Sequence, residues 1–157
     1  GMLHLASAQL AARDGRAGDS VEHLAAARSL AAVTGERDHM HYHFGPTNVA
    51  AWELAVGVET DEGPAAAERF LALQLDLSVF ASADRASSVH FDLGRAFTQG
   101  GGDRDREALD HLDRADRIAP IRVRRDPITR ELVGELDRRA RNRQWTLDSL
   151  RHRVGLP

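Results

Sequence analysis

A chain of 157 residues with no cysteine and a formal net charge of -3 is long enough to bury a core without covalent staples, and it excludes disulfides, thiolate metal sites and a cysteine nucleophile. Its apolar content leans on Ala and Leu, and its aromatic residues are few (2 Trp, 1 Tyr and 5 Phe), a composition that suits closely packed helices better than a β-sandwich. No apolar run approaches the roughly 20 residues needed to span a bilayer, and no basic start leads into an apolar block and cleavage site, so a cytoplasmic protein is expected.

All 21 basic residues are arginine, a bias that fits a G+C-rich coding sequence and makes any single arginine weaker evidence for bidentate recognition. Residues 1–100 carry 7 Arg against 13 acids, whereas residues 117–157 carry 11 Arg against 5 acids. The arginines of that basic end alternate with acids at helical spacing, the pattern of a solvated helix face rather than a phosphate tract.

Gly1 reads as an expression remnant and Met2 as the expected start of the reading frame. Residues 3–13 have helical period, Gly15 and Gly18 mark a turn, and Asp19 or Ser20 is positioned to cap a second helix with Val21, Leu24, Ala27 and Leu30 on one stripe until Gly35. This first pair spans about 3–34. The segment from Glu36 to Pro46 is a polar, His-rich loop, and Thr47 is a plausible N-cap for a helix carrying Val49, Trp52, Leu54, Val56 and Val58. Asp61-Glu62-Gly63-Pro64 stops that helix, and a short partner with Ala67, Phe70, Leu71 and Leu73 completes a second pair, 47–74. A third pair, 84–119, starts at Asp84, turns through Gly100-Gly101-Gly102, reopens at Asp103 and is stopped by Pro120. Asp126-Pro127 then caps a helix with Ile128, Leu132, Val133, Leu136 and Ala140 on one stripe. A last short helix offers Trp145, Leu147, Leu150 and Val154 for docking, so 127–154 reads as a two-helix cap.

Within the third pair, His90, Leu93, Gly94 and Phe97 match W-x2-L-G-x2-Y, and Ala108, Leu112, Ala115 and Pro120 match the small-large-small pattern and closing proline of a tetratricopeptide repeat. Gly94 lets the two helices approach, Leu93 and Phe97 fill the seam, and Ala108 and Ala115 keep the opposing face small. The expected fold is therefore an all-α, tetratricopeptide-like solenoid of three helix pairs and a cap, in one domain over residues 2–157. Because one such pair cannot bury its own apolar face, the architecture predicts a protein that works by binding.

The junction Phe44-Gly45-Pro46-Thr47-Asn48-Val49, with Arg130-Glu131-Leu132-Val133 and the Leu150 to Leu156 tail, resembles the C-terminal tetratricopeptide-like region of actinobacterial helix-turn-helix transcriptional regulators of the Xre type. The resemblance implies a helical sensor or interaction domain. No helix-turn-helix precedes residue 2 in this sequence, so DNA binding is not carried over with the scaffold.

By repeat spacing, first-helix residues outside the seam line the inner groove of such a stack: Gln9 and Arg13 in the first pair, Asn48 and Glu53 in the second, and Phe91, Arg95 and Thr98 in the third. Asn48 can both donate to and accept from a peptide backbone, and Arg13 and Arg95 are suited to a carboxylate. His39, His41 and His43 alternate and would project together from an extended segment, a three-imidazole set of the kind that holds zinc, yet no second element supplies partners. Neither a metal nor a cofactor is therefore expected. Gly100-Gly101-Gly102 lacks the Lys-Ser/Thr pair of a phosphate loop. Trp52 is expected to be a core anchor and Trp145 a docking residue of the last short helix. The expected function is non-catalytic binding of a peptide or protein partner, with self-association in a homodimer as the alternative.

The chain should not bind duplex DNA with sequence specificity, since it lacks a recognition helix with a turn partner. In gel-shift assays any complex should dissolve as salt rises; a sequence-dependent shift surviving about 200 mM salt would show that the C-terminal arginines contact nucleic acid.

Overall fold

The structure, a computed structural model, describes residues 1–38, 43–80 and 82–157. Among the described residues all regular elements are helical, and no helix is long and apolar enough to cross a membrane. The chain divides into two compact units, Gly1–Ala81 and Ser82–Pro157.

The first unit holds α1 (Met2–Arg13), α2 (Ala17–Thr34), α3 (Pro46–Glu59) and α4 (Gly63–Ala72), followed by a short 3-10 turn at Leu77–Val79. α1 packs along α2, α3 along α4, and both α1 and α2 rest on α3. Their shared core is built mainly from small and medium side chains: Leu5, Ala8, Ala12, Leu24, Ala27, Ala31, Val49 and Val56, with Met2, Phe44 and Trp52 partly buried against it. Ser20 has a different role from the cap expected of it. α2 already begins at Ala17, and Ser20 is buried in the hairpin seam, where its hydroxyl donates to the Ala8 carbonyl at 2.9 Å. A small polar residue thus satisfies itself across the closest approach of two helices.

Thr47 likewise is not the N-cap of α3. Pro46 occupies the first turn, where its missing N–H costs nothing. The Thr47 N–H instead donates to Glu36 Oε1 at 2.7 Å, so a carboxylate from the preceding segment caps the helix. The Arg37 N–H donates to the Phe44 carbonyl at 2.9 Å and ties the two ends of the intervening loop together. At the next hairpin, a Cβ on Gly57 would collide with the Ala66 methyl group, so α3 and α4 touch at a glycine-alanine contact.

The second unit holds α5 (Ala83–Gly100), a 3-10 turn at Gly102–Arg104, α6 (Asp105–Ile118), α7 (Pro120–Arg125), α8 (Pro127–Arg139) and α9 (Trp145–Arg153). Gly101 and Gly102 take left-handed φ values of 62° and 52°, which is why the turn is glycine-rich. α5 starts at Ala83 and α6 at Asp105, each within two residues of the predicted positions. Pro120 both stops α6 and starts α7, a six-residue helix that the repeat pattern gave no reason to expect. Asp126 does cap α8, its Oδ1 accepting the Ile128 N–H at 2.9 Å. α8 closes at Arg139. Trp145 overturns its expected docking role, because it opens α9 and stays 78% exposed while Leu147, Leu150 and Val154 are buried.

α9 is held to α6 by charge as well as by these apolar residues. Asp116 is fully buried and accepts from Arg124 of α7 at 2.6 and 3.1 Å and from Arg153 of α9, which also donates to Asp113 at 2.5 Å. Arg117 pairs with Asp113 at 2.8 Å, and Arg130 donates to the Val154 carbonyl at 3.0 Å. Several arginines of the basic end are therefore bracing the fold.

One arrangement recurs in both units. In α1 and α2 the residues His4, Ala8, Ser20, His23, Leu24, Ala27 and Ala31 hold the positions that His90, Gly94, Ala108, His111, Leu112, Ala115 and Ala119 hold around α5 and α6, with two residues added in the second turn. In each hairpin a serine hydroxyl bonds across the seam, Ser20 to Ala8 and Ser87 to the Ala115 carbonyl at 2.9 Å. In each, too, the paired imidazoles meet Nδ1 to Nδ1 at 3.1 Å.

Gly94 lies at the tightest point of the second hairpin: a Cβ there would sit 2.7 Å from the Leu112 side chain and 3.3 Å from the Ala108 carbonyl. Gly94→Leu should lower stability by about 1–3 kcal/mol or more, since overpacking a closed seam displaces a helix. Thermal unfolding followed by circular dichroism checks this, and an unchanged midpoint would mean that the helices have room to spare.

Candidate anion-binding site

The predicted groove residues fall into different environments. In the first unit, Gln9 Nε2 and Arg13 Nη2 both donate to Glu59 Oε1, at 3.2 and 3.4 Å, so these two α1 residues converge on the end of α3. Asn48 is only 2% exposed, with its Nδ2 3.7 Å from Met2 Sδ, which makes it part of the α1–α3 packing. Glu53 points the other way around α3, accepts from Arg28 of α2 at 3.0 Å, and borders a cavity of about 380 Å³ floored by Leu54, Ala66 and Phe70. These four residues therefore do not form one surface.

In the second unit Phe91 and Thr98 are buried, and the Thr98 hydroxyl donates back to the Gly94 carbonyl at 2.8 Å. The Thr98 carbonyl accepts from Arg139, which also pairs with Asp105 at 2.8 Å. Arg95 stands apart from them. It pairs with Asp92 at 3.3 Å, both side chains being largely buried at 17% and 13% exposure.

Arg85, Asp92 and Arg95 stand at i, i+7 and i+10 of α5, on a single side of the helix. Arg122 from α7 approaches closely enough for its charge to act on both Arg85 and Asp92. Arg95 is therefore the paired guanidinium of Asp92, and Arg85 and Arg122 act on it through their charge. Burial pushes the Asp92 carboxyl above its ordinary value, against the pull of Arg95, Arg85 and Arg122. Burial likewise draws the Arg85 guanidinium down, aided by its neighbour Arg122 and opposed by Asp92. Charges held where desolvation opposes them occur at functional sites and in structural ion-pair networks alike. Planar guanidinium groups are the donors that take carboxylates and other oxyanions by charge-assisted hydrogen bonds.

Sequence reasoning identified Arg95 but missed Arg85, Asp92 and Arg122. The helical spacing of Arg85 and Asp92 was readable. Arg122 was not, because it depends on α7 turning back after Pro120. A second cavity, about 490 Å³, opens beside Leu109, Leu136 and Leu147 with Arg106, Arg139 and Arg141 around it, and it too depends on the chain path beyond α8.

Of the histidine set, His39 and His41 lie outside the described residues. His43 is 8% exposed, adopts a left-handed φ of 46°, has its Nδ1 3.1 Å from Asp38 Oδ1 and meets the edge of Phe80. Among the described residues no group of three or more metal-ligating side chains occurs.

Comparison of the chain with protein-family models, curated proteins and solved structures finds no match.

Since the folded protein holds Asp92 with a raised pKa, its ionised form is disfavoured by folding, and whatever stability the neutral carboxyl contributes is lost as pH rises through that value. Asp92→Asn, which keeps the shape and removes the charge, should therefore unfold at the same temperature as the parent or higher at neutral pH. A loss beyond about 1 kcal/mol in chemical denaturation would mean that the arginine pairing outweighs desolvation.

Proposed function

We propose that this chain is a non-catalytic interaction domain, a tetratricopeptide-like array related to the sensing region of Xre-type transcriptional regulators, and that it takes an acidic peptide segment of a partner protein at the arginine cluster of α5 and α7. The observation that carries this reading is the desolvated Asp92, paired with Arg95 and acted on by the charges of Arg85 and Arg122. The recurrent hairpin pattern and the Gly94–Leu112 approach support the repeat architecture, and the Phe44 to Val49 junction supports kinship with the regulators. Glutamate or aspartate side chains of an extended peptide offer the oxyanions that planar guanidinium donors bind in bidentate fashion.

Self-association is the second reading, favoured by the exposed apolar side chains of α1 and α2: Leu3 at 84%, Leu10 at 61%, Val21 at 65% and Val33 at 87%. Scattered apolar residues are normal, whereas several on one hairpin suit a protein contact.

The test is fluorescence polarisation with a labelled Glu-rich peptide and its Gln-substituted counterpart. The acidic peptide alone should bind, its affinity should fall with salt, and Arg95→Gln or Arg122→Gln should weaken it at least about tenfold, the scale of one lost charge-assisted contact. Equal binding of both peptides, or no effect of either substitution, would overturn the reading. A dimer in sedimentation equilibrium, dispersed by Leu3→Ser with Val33→Ser, would favour the second.

A further inference from the structure

The two histidine pairs have no part in the arginine cluster, and their geometry repeats. His4 of α1 faces His23 of α2, and His90 of α5 faces His111 of α6, in each case with ring centroids 5.3 Å apart and Nδ1 to Nδ1 at 3.1 Å. Such a contact is a single N–H···N hydrogen bond: one ring donates from Nδ1, while the other accepts there and keeps its own proton on Nε2. One added proton still leaves a hydrogen bond between the rings. Two added protons set N–H against N–H and break it.

The second pair has surroundings that the first lacks. His111 lies nearly parallel to the Phe97 ring, with centroids 5.7 Å apart and planes 23° from one another, and Phe97 is 1% exposed. That buried ring already carries a cation, the Arg104 guanidinium, 4.5 Å from its centroid and held by Glu107 at 2.8 Å. Arg114 of α6 brings a further positive charge to both imidazoles. In the first hairpin Ala11 and Ala26 stand where Phe97 and Arg114 stand in the second.

We propose that the His90–His111 pair is an acid-sensitive latch: when neutral it ties α5 to α6, and proton uptake opens this hairpin locally before the rest of the chain unfolds. Desolvation and then Arg114 lower His90, while desolvation, His90 and Arg114, in that order, hold His111 down at about 4. Among the described residues, no carboxylate offsets these effects and no charge of α7, α8 or α9 acts on either ring. The closed hairpin therefore refuses protons that the open chain accepts at the ordinary imidazole value of 6.5. Stability from the pair is full above that value and is lost as pH falls from it toward 4, where the closed pair begins to take up protons as well. Between pH 7 and pH 5 the opening equilibrium of α5 and α6 should shift on the order of tenfold toward the open form.

Amide hydrogen exchange of the whole chain at pH 7, 6 and 5, each corrected for the intrinsic exchange rate at that pH, tests the proposal. Protection in α5 and α6 should fall on the order of tenfold, whereas protection in α3 and α4, which carry no histidine, should hold. His90→Gln with His111→Gln keeps two amides able to bond across the seam and should abolish the pH dependence. Arg114→Gln, at an exposed position outside the pair, should reduce it. Protection of α5 and α6 that does not change with pH, an equal loss in α3 and α4, or full pH dependence in the double histidine variant would overturn the latch. If that variant does not fold, NMR titration of the imidazoles in the unmodified protein decides: His111 should stay neutral through pH 5, and its protonation near 6.5 with α5 and α6 still protected would overturn the proposal.

Discussion

The close approach of paired helices at small residues is the constraint on which both units depend. Where α5 meets α6, Gly94 leaves no space for a Cβ; where α3 meets α4, Gly57 faces Ala66; where α1 meets α2, Ala8 receives a hydroxyl from Ser20. With backbones this near, the seam is filled by single large residues such as Leu112 and Leu24, and many weak dispersion contacts accumulate over a short length. The same nearness brings side chains one turn away into contact across the pair. Histidines at those positions meet at hydrogen-bonding distance because the helix axes are set by glycine and alanine.

That constraint also explains what the sequence made legible. Apolar spacing and glycine punctuation located the paired helices, since both report local geometry, and Gly94 could be assigned to a tight seam because no other residue type fits there. Asp126-Pro127 was equally readable, as the cap and the first-turn proline act within three residues. Thr47 and Ser20 misled because a hydroxyl near a helix start looks like a cap. The acceptors that claim these residues, Glu36 Oε1 and the Ala8 carbonyl, lie 11 and 12 residues away. Trp145 misled for a related reason: Leu147 and Leu150 fill the contact of α9, leaving the larger ring outside it.

The groove assignment was least readable because a helix face has meaning only once its neighbours are known. Asn48 and Arg95 were chosen by one rule of spacing. Asn48 is enclosed between α1 and α3, whereas Arg95 stands among Asp92, Arg85 and Arg122. The difference arises in chain paths that spacing does not encode, above all the turn of α7 after Pro120. Gathering these charges on α5 costs a carboxylate that would be better solvated elsewhere.

Asp116 carries an implication for how this chain can change over generations. It is wholly enclosed and shared by Arg124 and Arg153, while Arg153 also holds Asp113. Loss of the acid alone would leave the partly exposed Arg124 to solvent and Arg153 to Asp113, whereas loss of either arginine would leave the enclosed anion with one partner in place of two, a weakening in a fold of ordinary stability. Replacement by a fully apolar set would be tolerated once complete, but a route toward it that begins with an arginine passes through a weakened protein. The four positions are therefore bound together in mutational order, and descendants of this sequence should inherit the cluster whole or part with the acid first.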